Sequence, residues 1–211
     1  MSIADIRKDY QLKSLNESEV AKNPIDQFSI WWEEAVQSAI VEVNAMALST
    51  ITSEGRPSSR IVLLKGYNHQ GFVFFTNYKS DKGKQIAYNQ HVSLLFFWKE
   101  LERQVRIEGT ASQVTKEESD AYFDSRPIGS RLGAWASPQS QKITDRQILD
   151  KELEKVTNQF ADQHIPRPPH WGGYRVNPTS IEFWQGRSSR LHDRILYEQL
   201  EEQWQISRLA P

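Results

Sequence analysis

The fold is decided by the stretch from residue 45 to residue 77, which reads AMALSTITSEGRPSSRIVLLKGYNHQGFVFFTN. Three runs rich in β-branched and aromatic residues, 45–52, 59–67 and 72–77, are separated by turns that contain Gly, Pro, Asn and Ser. Short runs between such turns are typical of antiparallel hairpins. The stretch therefore predicts three successive strands of an antiparallel sheet.

The same reasoning extends outward along the chain. Further strands are predicted at 92–98, 104–114, 174–176, 180–185, 194–200 and 204–209. Helices are predicted at 24–41, 80–89, 115–123, 128–136 and 145–163, the first of them with Asn23 as cap and Pro24 at the first helical position. A β-core with helices packed outside it predicts an α+β fold built on a barrel. No shift in composition marks a linker, so we expect a single domain over residues 1–211.

Composition narrows the classes of partner. The chain has 26 Lys and Arg against 27 Asp and Glu, and this balance argues against nucleic acid and against electrostatic membrane binding. It has no Cys, which excludes disulfides and Cys nucleophiles and fits a cytoplasmic location. The five His residues have no paired spacing, so no metal site is expected.

The stretch 181–194, IEFWQGRSSRLHDR, is the strongest candidate site. If its backbone is extended, Arg190, His192 and Arg194 share one face. Such a set forms either an anion site or a solvated edge, and the nearby Trp184 favours the anion site because large aromatic side chains usually bury most of their area. Arg187 has no predicted partner and is expected to be a solvated loop residue.

Other polar positions are ambiguous when each is taken alone. Arg60 and Lys65 end a predicted strand, either as edge charges or as ligand contacts. Gln104 lies on a predicted strand, either at an exposed face or against a heterocycle. Three donors of the kinds that hold a phosphate recur every four residues, either as a binding set or as a cluster at a helix end: Tyr122, Arg126 and Ser130.

Several short motifs, taken together and in order, carry a resemblance. They are RIVLLK (60–65), FFTN (74–77), LERQV (101–105), YFDSRP (122–127), WGG (171–173), IEFWQGRSSRLHDR (181–194) and RLAP (208–211). The chain closely resembles the pyridoxamine/pyridoxine 5′-phosphate oxidase family over its full length. The resemblance implies an antiparallel, FMN-binding split β-barrel with flanking helices, and a homodimer with FMN at the subunit interface. It also implies oxidation of pyridoxamine or pyridoxine 5′-phosphate by O2 to pyridoxal 5′-phosphate.

The resemblance also implies roles for individual residues. Those expected to bind the cofactor are Arg60, Ile61, Val62, Leu63, Leu64, Lys65, Phe75, Thr76, Lys82, Gln104, Gln139, Ser140, Trp184 and Arg194. Those expected to bind the substrate are Arg7, Tyr10, Lys65, Tyr122, Arg126, Ser130, Arg190, Leu191 and His192. Arg190 and His192 are the expected catalytic pair, and residues 1–22 are expected to form an N-terminal segment that can close over the substrate.

Two departures and two alternatives accompany this interpretation. Asp81 stands where the family often has Arg, and we expect its carboxylate to point away from a bound phosphate. Glu42 stands where relatives can carry Asp, with little expected change. The alternatives are another split-barrel flavoprotein, such as a flavin reductase or an oxidase for a different phosphorylated amine, and a non-enzymatic binder of pyridoxal phosphate or flavin.

Overall fold

An antiparallel β-sheet forms the centre of the computed structural model, which describes residues 2–6, 8–161 and 163–211. The strands are β1 (Ala45–Ile51), β2 (Pro57–Leu63), β3 (Gly66–Asn68), β4 (Gly71–Asn77), β5 (His91–Trp98), β6 (Arg103–Gln113), β7 (Trp171–Gln185), β8 (Asp193–Leu200) and β9 (Gln203–Arg208). The helices are α1 (Pro24–Gln37), α2 (Asp81–Tyr88), α3 (Lys116–Ser125), α4 (Ile128–Ala136) and α5 (Gln147–Gln159). Within the described ranges, no helix combines the length and the apolar character needed to cross a membrane.

The sheet has the order β2-β1-β5-β6-β7-β4-β3, and β8 and β9 continue it from β7. Strand β7 pairs with β6 along most of its length, whereas its other edge is divided between two partners. Residues 171–176 pair with β4, and residues 180–185 pair with β8. This forked pairing opens the sheet into a split barrel, which confirms the predicted α+β class and barrel.

One prediction about strand β7 is wrong. The sequence indicated two separate strands, 174–176 and 180–185, but the structure has a single strand over this region. Proline lacks the N–H that a ladder needs, so Pro178 favoured a break. Pro178 instead lies opposite Gly109, where the register with β6 shifts. A Cβ on Gly109 would lie 2.1 Å from the Asn177 carbonyl oxygen, so the close approach of the two strands requires glycine there.

A second correction concerns the predicted strand 59–67, which the structure divides into β2 and β3. Leu64 donates its backbone N–H to Asn44, near β1, whereas Lys65 donates to Val73 in β4. The chain therefore changes pairing partner between Leu64 and Lys65. This bend places Lys65 at the junction of two parts of the sheet.

Local signals set the helix starts as expected. The Asn23 side chain accepts from the backbone N–H of Ile25, with Pro24 at the first helical position. Ser80 caps α2 and Thr115 caps α3 in the same way. The helices 24–41 and 145–163 predicted from periodicity are shorter in the structure, 24–37 and 147–159.

The main core lies between α1 and the inner face of the sheet. Phe28 of α1 is fully buried and its ring contacts Phe72 and Phe96, with centroids 4.9 and 5.3 Å away. Trp31, one turn later, contacts Phe183 of β7 at 5.1 Å. Burying each such side chain contributes about 1.5–3 kcal/mol, so this core holds the strands that carry the candidate sites.

Candidate functional site

The first candidate site is a cavity of about 460 Å³ between the β2–β4 region and the α3–α4 turn. We call it the Arg126 cavity. The predicted residues that line it are Ile61, Val62, Leu63, Lys65, Phe75, Thr76, Lys82, Tyr122, Arg126, Ser130 and Gln139. Segments far apart in sequence therefore meet as the resemblance implied.

One side of the Arg126 cavity presents Lys82. Its Nζ lies 3.2 Å from both Thr76 Oγ1 and Gln139 Oε1. Burial lowers the pKa of Lys82, as does repulsion from Arg60, while Asp81 acts in the opposite direction. Because Lys82 and Arg60 are close enough to repel each other, this side of the cavity is suited to binding an anion.

Arg60 lies beside Lys82 but outside the set that lines the cavity. Its guanidinium donates to Thr50 Oγ1 at 2.6 Å, to Gln85 Oε1 at 3.0 Å and to the Ser58 carbonyl at 3.0 Å. Burial lowers the pKa of Arg60, whereas Asp81 raises it. Asp81 itself is exposed in the first turn of α2, so its charge reaches both cations from the helix surface.

The other side of the cavity presents Arg126 on an aromatic platform. The guanidinium carbon lies 4.5 Å from the Trp171 ring centroid and 5.6 Å from that of Phe123. Its Nη1 is buried and has no hydrogen-bond partner among the described residues, and burial lowers the pKa of Arg126. A buried guanidinium nitrogen without an acceptor fits a phosphate, which supplies anionic oxygens in the right geometry.

The second candidate site is a cavity of about 490 Å³ beside the β7–β8 connection. We call it the His192 cavity. Tyr10, Arg190 and His192 line it as predicted, and Arg187 lines it too. The expectation that Arg187 has no partner is wrong, because its guanidinium lies 3.7 Å from the Asp193 carboxylate, although its side chain remains 41% exposed.

His192 is held in a defined orientation. The backbone N–H of Arg187 donates to His192 Nδ1 at 3.1 Å, and the ring lies 4.6 Å from Trp184. Burial lowers the pKa of His192, as does repulsion from Arg190, while Asp193 partly offsets both. Nδ1 is thus an acceptor in the neutral ring, which leaves Nε2–H as the free donor.

The predicted alternation of Arg190, His192 and Arg194 on an extended strand is wrong. Residues 188–190 form a helical turn, with φ of 56° at Ser189 and 62° at Arg190, and β8 begins only at Asp193. Arg190 and His192 line the same cavity, but Arg194 does not. Arg194 instead binds Glu182 through two hydrogen bonds of 2.7 and 3.0 Å.

The remaining predicted residues that the structure describes lie outside both cavities. Gln104, Trp184 and Arg194 form a row across β6, β7 and β8, because Trp184 is in register with both of the others. Leu64 is buried in the core, and Ser140 and Leu191 are exposed. Arg7 lies outside the described residues.

Sequence reasoning missed three residues that shape these sites. Trp171 supports Arg126, Glu182 binds Arg194 and Arg106, and Glu102 contacts the N-terminal segment. Trp171 and Glu102 belong to the motifs WGG and LERQV, and Glu182 to the stretch 181–194. Those motifs were the available signal, but their contacts depend on long-range pairing.

Solved structures of other proteins share the fold of this chain. The chain superposes on the crystal structure of PhzG from Burkholderia lata in complex with tetrahydrophenazine-1-carboxylic acid, with a TM-score of 0.88, 31% identity and coverage of 95% of this chain and 99% of that one. A pyridoxamine 5′-phosphate oxidase-related, FMN-binding protein from Nostoc punctiforme shares the fold at a TM-score of 0.70 and 16% identity, over 94% of this chain and 99% of that one. The fold therefore defines a protein of the split-barrel class.

Sequence relatives identify the family. Residues 32–160 match the family model "Pyridoxamine 5′-phosphate oxidase", and residues 171–211 match "Pyridoxine 5′-phosphate oxidase C-terminal dimerisation region". Pyridoxine/pyridoxamine 5′-phosphate oxidases of a Cyanothece species and of Paraburkholderia phytofirmans are each 56% identical to the chain over 100% of its length and 99% of theirs. The chain belongs to the pyridoxine/pyridoxamine 5′-phosphate oxidase family, which confirms the resemblance.

Proposed function

We propose that the chain oxidises pyridoxine 5′-phosphate and pyridoxamine 5′-phosphate to pyridoxal 5′-phosphate with FMN as cofactor and O2 as acceptor, within vitamin B6 synthesis and salvage. Pyridoxine phosphate and O2 give the aldehyde and H2O2, while pyridoxamine phosphate, O2 and water give the aldehyde, NH3 and H2O2. The observation that carries the proposal is the Arg126 cavity, where a buried guanidinium nitrogen has no acceptor among the residues that the structure describes. Family membership supports the same chemistry.

The residues present fit FMN. Lys82, Arg60, Thr76, Gln139 and Ser140 would hold its phosphate and ribityl chain, because they combine two cations with polar donors. Bound FMN would accept a hydride from the substrate and pass the electrons to O2. Residues that would contact the ring system are Ile61, Val62, Leu63, Leu64, Phe75, Gln104, Trp184 and Arg194.

The substrate phosphate would bind to Lys65, Tyr122, Arg126 and Ser130. Arg126 supplies a fixed fork of donors on the Trp171 ring, whereas the exposed Lys65 supplies a mobile charge. Tyr122 is held by stacking on Phe75, with centroids 3.9 Å apart. A phosphate held from several directions fixes where the attached pyridine ring can lie.

The pyridine ring would lie against Arg190 and His192. Arg190 would stabilise negative charge on the phenolic oxygen, and the Nε2–H of His192 would donate a hydrogen bond to the substrate. Tyr10 would cover the ring, with Leu191 at the edge of the site, and Arg7 is proposed as a substrate contact on the family resemblance alone. The water-exposed turn 188–190 leaves Arg190 free to meet a ligand.

We further infer that each active site is shared between two chains. The Arg126 cavity includes Trp171, the first residue of β7, and the His192 cavity follows Gln185, the last. Fifteen residues of strand span roughly 45–50 Å along their path, too far for one small molecule to bridge. The match of residues 171–211 to a dimerisation region supports a homodimer in which one chain's Arg126 cavity meets its partner's His192 cavity.

The decisive experiment is to add each substrate in air to the purified protein loaded with FMN. We expect equal amounts of aldehyde and H2O2 from pyridoxine phosphate, and much less from unphosphorylated pyridoxine. A need for a nicotinamide donor would instead indicate a flavin reductase, and bound flavin without turnover would indicate a binder. Failure of the protein to retain FMN would contradict the proposal outright.

Mixed dimers test the shared site. An Arg126→Ala chain and an Arg190→Met chain, each nearly inactive alone, are co-expressed with different tags and the mixed dimer is purified. One of its two sites carries both substitutions and the other carries neither, so we expect about half of the wild-type activity. No recovery would mean that both halves of a site come from one chain.

We make two further proposals, one on domain organisation and one on cellular location. We propose that residues 1–211 fold as one domain, which predicts a single unfolding transition followed by tryptophan fluorescence. We also propose a cytoplasmic location, which the absence of Cys supports and cell fractionation would test.

A further inference from the structure

Glu102 is a buried carboxylate in the turn between β5 and β6. The residue is 2% exposed, and its backbone has a left-handed conformation with φ of 54°. Oε2 accepts from the backbone N–H groups of Gln11 at 2.9 Å and Leu12 at 3.1 Å. Oε1 lies 3.3 Å from Lys8 Nζ. The charge of Glu102 is therefore satisfied by the N-terminal segment, about 90 residues away in sequence.

The backbone of Glu102 also binds the 186–192 loop, which forms the side of the His192 cavity opposite the N-terminal segment. The Glu102 carbonyl accepts from the backbone N–H of Gly186 at 2.7 Å and from Gln185 Nε2 at 3.2 Å. Gly186 opens the loop that carries Arg190 and His192. Glu102 thus contacts both segments that line this cavity without lining it itself.

Tyr10 is the point where the two segments meet. A Cβ on Gly186 would lie 2.6 Å from Tyr10 Cδ2, so the tyrosine ring lies directly on the glycine. The Tyr10 ring centroid is 5.9 Å from that of Trp184 and 6.1 Å from that of His192. The two backbone N–H groups bound by Glu102 immediately follow Tyr10 in the chain. Their position therefore determines where the tyrosine ring can lie.

We propose that Glu102 is a positioning residue that fixes Tyr10 over His192 and so completes the substrate side of the active site. The expected change in the Michaelis constant rests on the proposed function. The anchoring of the N-terminal segment by Glu102 does not. Two charge-assisted hydrogen bonds donated by backbone N–H groups to one buried carboxylate make a stronger anchor than neutral contacts. Since Glu102 does not line the cavity, it acts on the substrate through the residues that it holds in place: Tyr10 with the neighbouring Lys8, and the 186–192 loop.

A double-mutant cycle tests this dependence. Glu102→Gln is expected to raise the Michaelis constant about tenfold, the size of losing one hydrogen bond to a charged group, with a smaller change in turnover. In a Tyr10→Ala background, the same substitution should change the Michaelis constant less than about twofold, because the residue being positioned is gone. If the effects of Glu102→Gln and Tyr10→Ala on the Michaelis constant simply multiplied in the double variant, the proposal would be overturned. An unchanged Michaelis constant in Glu102→Gln alone would also overturn it.

Two further variants separate positioning from misfolding. Glu100→Gln removes the same charge two residues away at an exposed position and should leave the Michaelis constant unchanged. Gln11→Pro removes a donor to Glu102 from the other side, without altering the β5–β6 turn, and should reproduce the effect of Glu102→Gln. Wild-type kinetics in Gln11→Pro would contradict the role of this hydrogen bond.

A readout without substrate or flavin distinguishes this inference from the proposed function. Trypsin cleavage after Lys8 and Lys13 is followed by mass spectrometry. Cleavage should be several-fold faster in Glu102→Gln and Gln11→Pro than in the wild type or Glu100→Gln. Equal rates would overturn the anchor even if the protein is an active oxidase. Faster rates would support it even if the substrate proves to be different.

Discussion

The guanidinium of Arg126 lies over the indole of Trp171, with its carbon 4.5 Å from the ring centroid, while its buried Nη1 has no acceptor in the described part of the chain. An arginine that is already partly buried and held over an aromatic ring loses little further freedom when a phosphate arrives. The Trp171 ring therefore holds the Arg126 guanidinium in place before a phosphate binds.

This relationship predicts the effect of changing Trp171. Trp171→Leu should raise the Michaelis constant for the phosphorylated substrate about tenfold, because it removes a desolvated cation–π contact of about 1–2 kcal/mol. Trp171→Phe keeps a flat ring and should stay within about threefold of the wild type. Inhibition by inorganic phosphate should weaken in parallel, and unchanged inhibition in Trp171→Leu would contradict the prediction.

Glu182 is expected to contribute to stability. Its side chain is 2% exposed and binds both Arg106 and Arg194. Glu182→Gln should lower the free energy of unfolding by about 2–3 kcal/mol, less than for a fully buried pair because both arginines remain partly exposed. Glu108→Gln, which removes an exposed partner of Arg106, is the control and should have an effect below about 1 kcal/mol in urea unfolding.

The Glu17–Arg208 pair predicts a specific pH dependence. Hydrogen bonds from Arg208 lower the pKa of Glu17 from 4.5 to about 2. A carboxylate with a lowered pKa stabilises the fold fully above its unfolded pKa, and that contribution is lost as the pH falls towards about 2. Urea midpoints of wild type and Glu17→Gln should therefore differ at neutral pH and converge on acidification. A difference that grows in acid would contradict the assigned direction.

The charge of Arg190 should be measurable at His192. Because repulsion from Arg190 contributes to the lowered pKa of His192, Arg190→Gln should raise that pKa. A proton NMR titration of the imidazole signals measures it, with the other histidines as internal references. A pKa that falls or does not move would show that Arg190 does not act electrostatically on this ring.

Gly186→Ala offers a second route to Tyr10. The added methyl would collide with the tyrosine ring rather than with backbone, and the φ of Gly186 is not in the left-handed region. We expect a raised Michaelis constant with a melting temperature within about 2 °C of the wild type. A large fall in melting temperature would mean that the methyl group disturbs the fold itself.

Sequence reasoning succeeded where the determining interaction is local. The starts of α1, α2 and α3 follow from a capping side chain that binds a backbone N–H two or three residues later. The convergence of Lys65, Arg126 and Lys82 in one cavity was implied by the order of family motifs and is what the structure contains. The helix starts required no knowledge of long-range pairing, whereas the convergence in the cavity came from the family resemblance and not from local sequence.

It failed where a distant partner decides the outcome. Pro178 does not break β7 because Gly109, on another strand, allows the register shift opposite it. The pairing of Arg194 with Glu182 depends on the register between β7 and β8, and the turn at 188–190 replaces the alternation that extended backbone would give. Gly109 lies far from Pro178 in sequence, and although Glu182 and Arg194 share the stretch 181–194, only the strand register pairs them.

The separation of the two cavities at opposite ends of β7 has a consequence for mass action. If catalysis requires the Trp171 end of one chain and the Gly186 end of another, dilution below the dimer dissociation constant removes activity from chains that are still folded. Specific activity would then depend on protein concentration. In a cell, output would rise more steeply than expression at low copy number and in proportion to it at high copy number.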